Sequence, residues 1–100
     1  MTIPEFIEYY KSRKWTKEEL EVLQQDVSYV YQKLQLEIAD LKMEEALFMG
    51  EKTPEQSVAD RKRLFSATKS GQRLIQLKGY DLSVKEMLSA IKSKIFQLIY

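Results

Sequence analysis

Near its midpoint the chain carries Gly50-Glu51-Lys52-Thr53-Pro54-Glu55, its strongest turn signal, with long helical periodicity on both sides. Gly50 reads as the residue just past a helix end, Thr53 as the next N-cap and Pro54 as a first-turn proline. This punctuation predicts a helical hairpin with a turn at 50–53. Only 3 glycines and 2 prolines are present in 100 residues, too few for the many turns of an all-β fold. The length suits one domain, and 44% hydrophobic with 31% charged residues suits a folded, helix-rich chain.

The flanking periodicity sets the elements. Residues 3–13 predict a short first helix, with Thr2 as its cap and Pro4 in its first turn. Thr16 and Glu19 form a T-x-x-E capping box, and Trp15 with Leu20 fits a hydrophobic staple. A second helix is expected over about 17–49. Its stripe is Leu20, Leu23, Val27, Val30, Leu34, Ile38, Leu41 and Phe48, with 3-4 spacing up to Leu34 and a phase shift at Glu37. A third helix, straight or kinked, is expected over 54–99. Its stripe is Leu64, Ala67, Gly71, Leu74 and Leu77, then Val84, Leu88, Ile91, Ile95 and Leu98. Gly79 followed by Ser83 and Glu86 offers a stop and a restart, yet the stripe keeps phase across them, which favours one helix. Gly71 on the stripe invites close approach of a facing helix. Folded about the turn, residue i is expected near residue 103 − i, which puts Phe6 opposite Gln97 and beside Phe96, puts Trp15 opposite Leu88, and brings the two ends together in an aromatic cluster.

The expected fold is therefore all-α: a long antiparallel, coiled-coil-like hairpin with a short N-terminal helix. Such a hairpin buries little by itself, so self-association into a homo-oligomer is expected to complete the core. Leu34, Ile38, Leu41, Leu74, Leu88, Ile91 and Ile95 are the candidate packing and oligomer residues.

Composition narrows the chemistry. No cysteine and no histidine are present, which excludes disulfides, thiolate sites, cysteine nucleophiles and any Ser-His-Asp triad. The expectation is a non-enzyme with no cofactor and no metal. Glu37, Asp40, Glu44 and Glu45 read as a solvated helix face. Gly50-Glu51-Lys52-Thr53 lacks the leading glycine and preceding strand of a phosphate-binding loop. No apolar run of membrane length and no leader pattern appears, so a cytoplasmic protein without membrane contact is expected.

Net charge is only +1, but it is unevenly placed. Residues 1–53 hold 7 Lys/Arg and 11 Asp/Glu, whereas residues 54–100 hold 9 Lys/Arg and 4 Asp/Glu. Arg61, Lys62, Arg63, Lys69, Arg73, Lys78, Lys85 and Lys92 are the candidate nucleic-acid contacts. Lys62 and Lys69 lie a heptad apart, as do Lys78, Lys85 and Lys92, and a ladder of cations can follow a phosphate backbone. The simpler alternative is pairing with the acidic half, Arg63 near Asp40 and Lys85 near Glu18. Most aromatics fall on or beside the stripes; Tyr9, Tyr29 and Tyr80 are least explained by packing.

Ala46-Leu-Phe-Met-Gly50-Glu-Lys-Thr53, Ala59-Asp-Arg-Lys-Arg63 and Val84-Lys-Glu-Met-Leu-Ser-Ala-Ile-Lys-Ser-Lys94 together resemble small helical phage proteins. The nearest functional family is the recombination mediator of T-even-like phages. That resemblance covers about two-thirds of the chain and implies an oligomeric helical protein that binds single-stranded DNA and helps load a recombinase. The alternative expectation is a protein-only adaptor, assembly chaperone or inhibitor that acts through helix–helix contacts.

Overall fold

A computed structural model describes residues 2–51 and 53–99, apart from the Ile99 side chain. The turn residue Lys52 and the terminal aromatic Tyr100 lie outside the described residues. The described residues form four helices and no strand: α1 (Ile3–Lys11), α2 (Lys17–Gly50), α3 (Val58–Ser66) and α4 (Lys69–Ile99). They divide into two compact units. The first holds α1, α2 as far as Lys33 and α4 from Tyr80 onward; the second runs from Leu34 to Gly79.

In the first unit, α1 begins where the Thr2 hydroxyl accepts from the Glu5 amide at 3.3 Å and donates to the Glu5 carboxylate at 2.8 Å. α2 begins at the foreseen capping box: the Glu19 amide donates to the Thr16 hydroxyl, and the Thr16 amide to the Glu19 carboxylate, each at 3.2 Å. Tyr10, Leu20, Leu23, Val27, Val84, Met87 and Ile91 are buried here, while Val30, Leu88 and Ile95 are half-buried. Met87 rather than Leu88 therefore occupies the centre of the α4 stripe. α4 runs unbroken through Gly79–Ser83, so neither the glycine stop nor the Ser83 cap operates.

In the second unit the sequence expectation needs three corrections. Gly50 is the last residue of α2 and has no positive φ, so it is not a left-handed cap. Thr53 and Pro54 do not open a helix. Thr53 closes a single turn with Gln56, and Ser57 then adopts extended backbone and caps α3 by accepting from the Asp60 amide at 3.1 Å. Thr53 and Ser57 are both cap-competent, and the later one starts the helix. The single helix expected over 54–99 is in fact two, divided at Ala67 and Thr68. Thr68 donates to the Phe65 carbonyl at 2.6 Å and accepts from the Gly71 amide at 3.0 Å, so it closes α3 and caps α4 together.

Gly71 does serve a close approach, but to the corner just before it and not to a facing helix. A Cβ there would lie 2.7 Å from the Phe65 carbonyl carbon and 2.8 Å from Ser66 Cα. The corner also shifts the phase of the stripe. Phe65 is buried and meets Phe48 at 5.5 Å between ring centroids, whereas Leu64 and Ala67 are exposed. Leu34, Ile38, Leu74 and Leu77 complete this core, with Leu41 and Phe48 half-buried. Within this unit α2 and α4 are in contact through Glu37 to Arg73 and Glu44 to Ser70. Both partners lie later in the chain than the 103 − i register places them, because the connection and the separate α3 take up residues that the four-residue turn expected at 50–53 would not.

Candidate functional site

The cations that the sequence marks out divide into engaged and unengaged sets. In the second unit, Arg61 reaches back from α3 to the end of α2. Its Nε donates to the Phe48 carbonyl at 2.8 Å, its guanidinium lies 3.5 Å from the Phe48 ring centroid, and it pairs with Glu51 at 3.5 Å. With its side chain only 12% exposed, Arg61 acts as the C-terminal cap that Gly50 does not provide. Arg73 holds Glu37 at 3.0 Å and Gln76 at 2.8 Å. Arg63 pairs with Asp60 at 3.2 Å rather than with Asp40. Lys62, Lys69 and Lys78 are exposed and carry no ion pair among the described residues. The heptad relation of Lys62 to Lys69 has no structural meaning, because the corner at 67–68 puts them on different helices.

In the first unit, Lys85 pairs along its own helix with Asp81 at 3.1 Å, not with Glu18. Its hydrogen bond to the Asp81 carboxylate, the Asp81 charge, and Tyr31 raise the Lys85 pKa above the ordinary lysine range. Lys92 is exposed. Lys78, Lys85 and Lys92 share α4 without interruption, so their seven-residue spacing is retained.

The first unit also holds an open cleft of about 380 Å³, with Tyr9, Trp15, Glu18, Val22 and Asp26 among its walls. The indole is fixed on all sides. Its Nε1 donates to the Tyr10 carbonyl at 2.9 Å, the Tyr9 ring meets it edge-on at 5.3 Å, and the Tyr10 ring stacks at 6.4 Å. Arg13, itself paired with Glu19, lies 4.2 Å from the indole centroid. Tyr9 is thus accounted for as a tie between α1 and the link to α2, and the chain's own arginine covers the aromatic face. Tyr9 and Tyr10, which the expected cluster at the chain ends did not include, lie against Trp15.

A feature the sequence reading passed over lies on α2 in the second unit. Leu36 is 68% exposed, Met43 67% and Leu47 68%. Ala39, Ala46 and Gly50 are exposed beside them. Leu36 and Met43 are a heptad apart, on the opposite face from buried Leu34 and Ile38. The signal was present in the sequence as a second 7-residue repeat, but the stronger core stripe two residues away obscured it. Asp40 and Glu44 run along one edge of this face, both exposed.

Among the described residues, no His/Cys/Asp/Glu group is placed to hold a metal ion, and no buried side-chain polar atom lacks a partner. No helix among the described residues is long and apolar enough to cross a membrane. Comparison with protein-family models, curated proteins and solved structures found no match.

Proposed function

We propose that the chain is a non-enzymatic helical accessory protein, an antiparallel coiled-coil-like hairpin that docks a helix of another protein on the outer face of α2. One observation carries this reading: between Leu36 and Gly50, α2 is apolar on both sides. Leu34 and Ile38 fill the core, and Leu36, Met43 and Leu47 remain in water. A helix that carries apolar side chains on two opposite faces is normally covered on both, and contiguous exposed apolar surface marks a site of association. The sequence candidates for an oligomer seam support the same division of labour, because Leu34, Ile38, Leu74 and Ile91 are buried within the chain itself.

The test is a labelled amphipathic peptide with leucines in 3-4 spacing and glutamines elsewhere, titrated by fluorescence anisotropy. The parent protein is expected to bind it. The Leu36→Glu/Met43→Glu variant is expected to lose binding while keeping its helicity, since neither side chain is in the core. Equal binding by parent and variant rejects the reading.

Single-stranded DNA binding of the recombination-mediator kind is the second reading, favoured by the exposure of Lys62, Lys69, Lys78, Lys85 and Lys92. Arg61 and Arg73 do not support it, since both are engaged with protein groups. An assembly of several copies would multiply such weak phosphate contacts. Titration of a labelled oligonucleotide at low salt tests it, with the five lysines replaced by Ala as the control; absence of binding by the parent rejects it.

A further inference from the structure

The exposed face of α2 in the second unit has two unlike edges, and these specify what can cover it. Leu36, Met43 and Leu47 form a seam about 16 Å long at the helical rise. Asp40 and Glu44 flank it on one side, Ala39 and Ala46 on the other. Asp40 carries no ion pair among the described residues. Glu44 accepts a hydrogen bond from the neutral Ser70 hydroxyl at 2.8 Å and has no cationic partner among the described residues. Glu37 differs, because Arg73 neutralises it. Lys42 lies beyond the alanines, on the far side of the seam from the Asp40 and Glu44 carboxylates. The face therefore offers an apolar track, a smooth edge that lets a helix come close, and a negative edge.

We infer that this face takes a basic amphipathic helix of a different protein, with an apolar 3-4 stripe on the track and Lys or Arg along the side that meets Asp40 and Glu44. Charge complementarity decides among the occupants. A second copy docked by an antiparallel twofold brings like edges together, setting Asp40 and Glu44 against the same two carboxylates, and one docked by a parallel twofold sets them against the alanine edge, which offers no counter-charge. A nucleic-acid strand meets the same negative edge and is repelled. Opposite charge on a partner helix satisfies both carboxylates and fixes its direction and register.

This inference rests on the docking reading above, and the experiment separates the two. Three peptides share one leucine stripe and carry Lys, Gln or Glu at the flanking positions; each is titrated by anisotropy at low and moderate salt, with light scattering on the protein alone. The Lys peptide is expected to bind about three- to tenfold more tightly than the Glu peptide at low salt, the size expected of one or two exposed ion pairs. The gap should close with salt. It should also vanish in Asp40→Asn/Glu44→Gln. Equal binding of all three peptides overturns the inference and leaves the docking reading standing. A protein dimer that Leu36→Glu/Met43→Glu dissolves makes the occupant a second copy and overturns it as well. Binding of none, with a monomeric protein, removes both.

Discussion

At Gly71 the added bulk of one methyl group has nowhere to go. The nearest atoms are backbone, the Phe65 carbonyl group and Ser66 Cα, which cannot rotate aside as a side chain can. Gly79 sits in the same helix with nothing within 4 Å of an added Cβ. The same substitution should therefore have opposite signs. Gly71→Ala should cost about 2 kcal/mol or more by overpacking, whereas Gly79→Ala should gain about 0.5–1 kcal/mol of helix propensity. Urea denaturation of the two variants checks this, and a Gly71→Ala variant as stable as the parent would show that the corner yields. Close approach at Gly71 was legible in the sequence. Its partner was not, because that partner is the carbonyl of a corner whose existence depends on Thr68. Arg61 shows the same limit. Its charge was legible, but its engagement with the Phe48 carbonyl and ring depends on where α3 turns back.

At the scale of the element, α2 sets two leucines two residues apart in opposite environments. Leu34 is 3% exposed and Leu36 is 68% exposed. Leu34→Asp buries a carboxylate in the second-unit core and should cost several kcal/mol, on the order of 3–5. Leu36→Asp should stay within about 0.5 kcal/mol of the parent. Thermal melts of both variants test the assignment of faces, and comparable destabilisation by the two would overturn it. The 3-4 spacing from Leu20 to Leu34 made the α2 core readable, because an uninterrupted helix keeps its phase. Beyond Pro54 the same reasoning misplaced the stripe by one residue, to Leu64 in place of Phe65. Periodicity cannot be carried across a corner that resets the helix, and the Thr68-to-Gly71 cap that makes this corner is a short, common pattern. The exposed apolar face of α2 was hidden for a different reason: a single stripe is enough to explain a helix, so a second one attracts no attention until the exposures are known.

For the molecule as a whole, the lack of histidine and cysteine shapes how stability responds to pH. No side chain has an ordinary pKa between about 5 and 8. The resolved perturbations lie at the two extremes. The Glu5 carboxyl is lowered, first by the hydrogen bond from the Thr2 hydroxyl and then by the Thr2 backbone contact. A carboxyl whose folded pKa is depressed stabilises the fold above its unfolded pKa, and that contribution is lost as pH falls through the folded value. Lys85 is raised, first by its hydrogen bond to Asp81. A lysine whose folded pKa is raised stabilises below its unfolded pKa and loses that contribution as pH rises through the folded value. Both groups are solvent-facing, so each effect is small. The expected profile of Tm is a plateau from about pH 5.5 to 9, with shoulders on the acid and alkaline sides. Glu5→Gln should soften the acid shoulder and leave the alkaline one, and Lys85→Met should do the reverse. A parent Tm that moves by several degrees between pH 6 and 8 would exceed what a terminal amino group supplies, and would point instead to an association equilibrium that changes with charge.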